Sequence, residues 1–328
     1  MRVAVLGSNS FAGCDFVDLL LESGRFDVLG ISRSPEKPAA FLPYANRSRE
    51  RFVYRQLDIN AEHGAIAAEL DAFAPEFVIN FAAQGDEAAS WAYPADFFQT
   101  NCVALARLVD GLKARTYVRR FLQISSSSVY GAPAVTVTES SPLAPRSPYA
   151  VSKTAADLLL LAYFENFDFP AQIMRLPNLY GPYQQLYRLV PKSMIQIRRG
   201  GVIELHGGGY AMRSYLHIRD ASRAALAILE RGRAGEVYNV SPDDVHRIRD
   251  LVMVVCELLG RDFSEATREV EDRRGQSSVT RFDSSKIRRE LGWRPQVPLR
   301  AGIAGVGAWL EKEWDSLMGE QLDYIHQA

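Results

Sequence analysis

Tyr149 and Lys153 stand four residues apart in Ser147-Pro-Tyr-Ala-Val-Ser-Lys153, and the run Ser125-Ser-Ser-Ser-Val-Tyr-Gly131 lies just upstream. Four residues is about one helical turn, so a helix opening after Pro148 stacks a phenol and an ammonium on one face. A cation there favours phenolate over phenol and moves a pKa near 10 toward neutrality. A nearby serine hydroxyl can hold a substrate oxygen in line. Together these are the parts for taking a proton from a carbinol while a nicotinamide takes the hydride.

Side chains of that kind need a scaffold, and the apolar pattern supplies one. Short runs at 3–6, 27–32, 52–57, 77–81 and 120–124 read as strands, with helical character at 16–21, 61–73, 100–114 and 149–164. Alternation of that kind predicts an α/β fold, a Rossmann-type doubly wound parallel sheet covered on both faces. Beyond Arg175 the texture shifts to short segments rich in Pro, Gly, Tyr and Arg, which predicts a smaller α/β lobe. The expected division is 1–175 for the dinucleotide domain and 176–328 for the substrate lobe, with a strand near 236–240 returning to the main sheet.

Gly7-Ser-Asn-Ser10-Phe11-Ala-Gly13 lies between the first strand and first helix, where a dinucleotide fold sets its pyrophosphate against helix N–H groups. Ser10 replaces the middle glycine of the usual pattern, so the loop must tolerate a small hydroxyl. After the second strand, where an acid would bind the ribose diol of NAD, the chain has Ser32-Arg33-Ser34. A guanidinium flanked by hydroxyls suits a 2'-phosphate, which favours NADP over NAD. Asp58 and Ile59 are expected at adenine, and Phe81, Ala82 and Ala83 beside the cofactor.

The 328 residues are 47% hydrophobic and 23% charged, the profile of a globular chain with a sizeable core. A net charge of -1 gives no electrostatic argument for nucleic acid or an anionic membrane, so the expected partner is a small molecule. Cys14, Cys102 and Cys256 form no CxxC pair and the five histidines no ligand pattern, so no metal is expected. The start at Arg2 lacks the sections of a signal peptide, and no stretch has the length of a membrane span; the expected address is the cytoplasm.

Taken in order and spacing, Gly7 to Gly13, Asn80-Phe-Ala-Ala83, Thr100-Asn101, Ser125 to Gly131 and the Tyr149/Lys153 pair resemble the extended short-chain dehydrogenase/reductase family, in particular its nucleotide-sugar epimerases and dehydratases. The resemblance continues through Arg175-Leu-Pro-Asn178-Leu-Tyr180-Gly-Pro182, Arg213 to Asp220, Asp272-Arg273-Arg274-Gly275 and Asp283 to Pro295. It implies Ser126, Tyr149 and Lys153 as the catalytic set, with Asn101 supporting the active-site helix. It further implies Gln84, Asn178, Arg213 and Arg273 at a nucleotide-diphosphate sugar. A guanidinium fork matches phosphate oxygens on its own merits. The long helix at 149–164 is apolar on more than one face, and a homodimer through helices near 101–114 and 149–165 is expected.

By the same resemblance the second half is most similar to sugar-nucleotide 4,6-dehydratases. Those enzymes carry an Asp-Glu pair just after the catalytic Thr or Ser, for C5 deprotonation and departure of the C6 hydroxyl. This chain has Ser127-Ser128, and a serine titrates nowhere near neutrality. Dehydration therefore ranks third unless Asp86 or Glu87 substitutes. The reading favours a 4-epimerase, then an NADPH-dependent 4-keto reductase using the same residues. A dinucleotide-sensing regulator on the same fold is the non-enzymatic alternative.

Overall fold

Near-continuous apolar runs such as Arg2–Leu6 and Ala171–Leu176 are what strands buried on both faces require, and in the computed structural model they form the centre of a sheet. The structure describes residues 1–133, 135–271 and 281–327. In chain order the elements are β1 Arg2–Leu6, α1 Phe11–Ser23, β2 Asp27–Ser32, β3 Phe52–Gln56, α2 His63–Phe73, β4 Phe77–Asn80, α3 Pro94–Phe98, α4 Leu105–Leu112, β5 Arg120–Ser126, α5 Pro148–Phe167 and β6 Ala171–Leu176. Then follow β7 Asn178–Tyr180, α6 Leu189–Arg198, β8 Ile203–His206, β9 Met212–Arg213, β10 Tyr215–His217, α7 Ile218–Arg231, β11 Val237–Asn239, β12 His246–Arg247, α8 Ile248–Leu258, α9 Phe263–Ala266, β13 Thr267–Val270, α10 Ser285–Leu291, α11 Leu299–Lys312 and α12 Trp314–Leu317.

Seven strands make one parallel sheet in the order β11-β6-β5-β4-β1-β2-β3. The period of two along β1 divides the core. Val3 and Val5 pack with α1 and α7 on one face, while Ala4 and Leu6 pack with α2, α4 and α5 on the other. This is the expected doubly wound Rossmann-type fold. Order reverses at β1, with β2 on one side and β4 on the other, which opens a crevice at the carboxyl ends of those strands.

The expected helix over 100–114 forms differently. The chain turns into α3 at Pro94, passes through a π-helical segment Gln99–Ala104, and only then becomes α4. The extra residue of a π turn is a local register shift that helical periodicity does not announce. α5 opens where expected: Ser147 Oγ accepts from Ala150 N at 3.1 Å and Pro148 occupies the first turn, where no amide donor is needed.

After β6 the chain builds a second core, in which Val190 and Met194 of α6 meet Leu251 and Val255 of α8 and Ile303, Val306 and Trp309 of α11. Short pairs frame the crevice from this side: β7 lies parallel to β10, and β9 antiparallel to β12. Among the described residues no helix is long and apolar enough to cross a membrane, and no group of three or more His, Cys, Asp or Glu could hold a metal.

Candidate functional site

A cleft of about 850 Å³ runs over the carboxyl ends of β1 to β5 and up to β7, β9 and β10. Of the residues picked from the sequence, Gly7, Ser10, Phe11, Ser32, Arg33, Asp58, Ile59, Phe81, Ala82, Ala83, Gln84, Ser126, Tyr149, Asn178 and Arg213 all line it. Gly13, Asn101 and Lys153 stand behind its wall. Arg273, with the segment 272–275, lies outside the described residues.

Gly7 has φ 73°, and a Cβ there would lie 2.4 Å from Ala82 N; one on Gly13 would lie 2.2 Å from Gly7 O. The glycines thus let the loop, β4 and the start of α1 close on one another. Ser10 replaces the middle glycine without harm because it works as the N-cap of α1, its Oγ accepting from Gly13 N at 3.0 Å. The open first turn of α1 faces the cleft. A helix N-terminus with no side chain in the way fits a pyrophosphate, so the residues present suit a dinucleotide.

Asn9, which the sequence reading passed over, organises the adjoining loop. Its N donates to Ser32 Oγ at 2.9 Å, its Nδ2 to Ser34 Oγ and Pro35 O at 2.7 Å each, and its Oδ1 accepts from Lys37 N at 3.1 Å. The two hydroxyls expected at a 2'-phosphate are therefore already bonded within the protein. Arg33 Nη2 donates to the Gln327 carbonyl at 2.9 Å. Asn9 sits between the two glycines of the loop, a position that could have drawn notice.

At the other end of the cleft, Ser126 is the last residue of β5 and its hydroxyl hydrogen-bonds the Tyr149 phenol. Burial nevertheless pushes that phenol above its ordinary value; Ser126 and Arg188 pull it down, and the Glu87 carboxylate pushes it up. This direction is opposite to the one expected from the helical spacing. Lys153 is not among the largest influences on the phenol; its Nζ donates to Ile124 O at 2.6 Å, so the ammonium stands behind the phenol without bonding it. Burial lowers Lys153 to about 8, while Asp157 holds it up. Asp157 is itself tied to the buried Arg175, Oδ2 to Nε at 2.9 Å, and Arg175 Nη1 reaches Tyr130 OH at 2.7 Å.

Asn101 sits in the π-helical segment, where its side chain bonds two neighbouring elements. Its Oδ1 accepts from Gln84 N at 2.9 Å, and its Nδ2 donates to Gln84 O at 3.1 Å and to Ser152 Oγ at 2.9 Å. It clips the segment after β4 to α5 and holds Gln84 at the cleft.

Two acids follow Gln84 and part ways. Asp86 Oδ1 caps Ala89 N at 3.1 Å, and its Oδ2 is 3.6 Å from Arg188 Nη1. Glu87 turns to α5 instead: its Oε1 accepts from Ser147 Oγ at 2.7 Å and its Oε2 from Ser128 Oγ at 3.5 Å. The chain's last described residues also enter the cleft. Asp323 pairs with Lys192 at 2.8 Å, Tyr324 packs edge-on to Tyr187, and His326 Nε2 lies 2.7 Å from Asp96 Oδ2. Gln327 O accepts from Gln84 Nε2 at 2.6 Å as well as from Arg33. Nothing in the sequence of the tail signalled this crossing.

The chain is similar to known proteins over nearly its whole length. The sequence model of a family described as the NAD dependent epimerase/dehydratase family matches residues 3–241. A dTDP-glucose 4,6-dehydratase of Streptomyces griseus is 32% identical over 97% of each chain. A solved dTDP-glucose 4,6-dehydratase of Streptomyces venezuelae with NAD bound superposes with a TM-score of 0.89 at 32% identity, covering 96% of this chain and 98% of that one. A UDP-glucuronic acid 4-epimerase of Bacillus cereus, solved with UDP-glucuronic acid and NAD, gives 0.86 at 25% identity over 95% and 99%. The preference for NADP drawn from Arg33 finds no support among these relatives.

Proposed function

The chain belongs to the NAD-dependent epimerase/dehydratase family, and from that premise we propose that it oxidises the C4 carbinol of a nucleotide-diphosphate sugar and then eliminates water across C5–C6, leaving a 4-keto-6-deoxy sugar. Membership of an enzyme family sets aside the regulator reading. The observation that carries the proposal is the Ser126–Tyr149 pair at the end of β5, facing the same cleft as the open first turn of α1.

Gly7, Ser10 and Phe11 hold the pyrophosphate of NAD, Asp58 and Ile59 its adenine end, and Phe81, Ala82 and Ala83 the wall beside it. Bound there, NAD supplies the hydride acceptor for the C4–H bond. Tyr149 takes the C4 hydroxyl proton, and Ser126 keeps that oxygen in line. Lys153, one turn further along α5, adds positive potential behind the phenol. Asn178 and Arg213 face the diphosphate, where a guanidinium is the fitting partner. Gln84, held by Asn101, faces the sugar. NAD is preferred to NADP because the solved relatives named above hold NAD. That choice also weakens the 4-keto reductase reading, whose argument was NADPH.

Dehydration leads over epimerisation because the dehydratases named above are 32% identical to this chain and the epimerase 25%. Epimerisation at C4 remains the second reading, favoured by the serines at 127 and 128, and it uses the same Tyr149 step. Two copies are proposed to pair through the helices near 101–114 and 149–165, where Val103, Val151 and Leu158 are exposed.

Incubation with dTDP-, UDP-, GDP- and CDP-glucose, followed by NMR of the sugar, tests the reading. A 4-keto-6-deoxy product is expected. A C4 epimer would transfer the conclusion to the second reading, and no conversion of any nucleotide sugar would end both.

A further inference from the structure

We propose that Glu87 is the acid/base of the elimination, doing from the segment after β4 what Ser127 and Ser128 are unable to do from the end of β5. This rests on the dehydration reading above. Among the described residues lining the cleft the carboxylates are Asp58, Asp86 and Glu87. Asp58 follows β3 at the far end, where its Oδ1 accepts from Asn60 N at 2.8 Å. Asp86 is engaged by Ala89 N and Arg188. Glu87 remains, and its charge, with that of the buried Asp157, raises the Tyr149 phenol.

The placement of Glu87 is built rather than incidental. Ser147 Oγ accepts from Ala150 N as the cap of α5 and donates its own proton to Glu87 Oε1, so the carboxylate is anchored to the first turn of the helix that carries Tyr149. Its second oxygen reaches Ser128 Oγ at 3.5 Å. A carboxylate thus occupies the space in front of Ser128 while arriving from a different strand. Its side chain is exposed to the cleft, as a group meeting substrate must be.

The step balances with one carboxyl. The C4 ketone acidifies the C5–H bond; Glu87 takes that proton and the bonding pair becomes the enolate. The enolate closes to C5=C6 as the C6–O bond breaks, and the protonated Glu87 gives its proton to the departing hydroxide, which leaves as water. The electron pair removed at C4 returns at C6 and a solvent proton adds at C5, so no outside oxidant or reductant is consumed.

The test uses the purified chain with NAD and dTDP-glucose in D₂O, with UDP-glucose as a second probe, reading absorbance at 340 nm, deuterium at C5 and 4-keto-6-deoxy product. The native chain should show all three. Glu87→Gln should still develop the 340 nm signal while C5 exchange and product formation fall by about 100-fold or more, the usual worth of a positioned acid/base, and Glu87→Asp should recover part of the loss. Unchanged elimination in Glu87→Gln overturns the assignment. So does an equal fall in all three signals, the mark of a residue that only positions α5. A native chain that develops the 340 nm signal without C5 exchange refutes Glu87 and leaves C4 oxidation standing; absence of that signal with either sugar refutes the oxidation itself.

Discussion

Lys153 Nζ donates to the main-chain carbonyl of Ile124 at 2.6 Å, so the ammonium of the Tyr-Lys pair is anchored to β5, the strand that also carries Ser126. Burial lowers its pKa from 10.5 to about 8. The cation behind the phenol is therefore lost as pH rises through about 8, and kcat/KM should fall on that alkaline side. Lys153→Arg keeps its charge at every working pH, so its profile should lose this limb even where its rate is lower. A kcat/KM series from pH 6 to 10 on both proteins checks this.

The same shift has a consequence for stability. The folded pKa lies below the unfolded one, so between about 8 and 10.5 the unfolded chain binds more protons and this group's contribution rises with pH. Below about 8 the burial cost is fully present. Urea titrations across that window should show a rise that Lys153→Met removes.

Tyr149→Phe deletes the oxygen that meets Ser126 while keeping the ring, which packs edge-on to Phe97. Turnover should drop by about 100-fold or more. The thermal midpoint should stay close to that of the native chain, measured by circular dichroism; undiminished turnover rejects the role of this phenol.

Arg175 and Asp157 form an ion pair at 2.9 Å with side chains only 2% and 0% exposed. Asp157→Asn strands a guanidinium where water does not reach it, and removing one partner of a buried pair costs about 3–5 kcal/mol. Denaturant unfolding should show a loss of that order. A loss below about 1 kcal/mol would mean that Tyr130 alone satisfies Arg175.

The tail joins Lys192, Tyr187, Asp96, Gln84 and Arg33 across the mouth of the cleft. Deleting residues 323–327 removes at least two hydrogen bonds and an ion pair there. At about 1 kcal/mol for each of the two hydrogen bonds, NAD exchange should quicken by about 30-fold. Stopped-flow fluorescence of NADH release measures it, and an unchanged rate would show that the tail does not cover the dinucleotide.

Sequence and structure agree most closely where periodicity and chain-local chemistry act. The apolar runs of β1, β2 and β4 set strand identity, and Ser147-Pro148 set the start of α5, because both depend on neighbours within one element. The stretch after Tyr93 was harder to read. A π-helical insertion leaves no distinct periodic trace, so α3, the insertion and α4 look like one helix. The direction of the Tyr149 shift was missed for a different reason. Spacing along α5 brings Lys153 near, but whether its ammonium faces the phenol or the Ile124 carbonyl depends on β5, which pairs with β4 and β6.

By itself the sequence determined the alternation of strands and helices, the glycine loop, and the presence of Ser126, Tyr149 and Lys153 in one chain, since each is a property of residues close together. Only the tertiary structure decided which groups face them. Glu87 rather than Asp86 bonds Ser147 at the start of α5, Asn9 donates to the hydroxyls of Ser32 and Ser34, and Gln327 reaches Gln84 across 243 positions. Those contacts come from strand order and loop closure, which bring distant segments to the same edge of one sheet and are written in no local pattern.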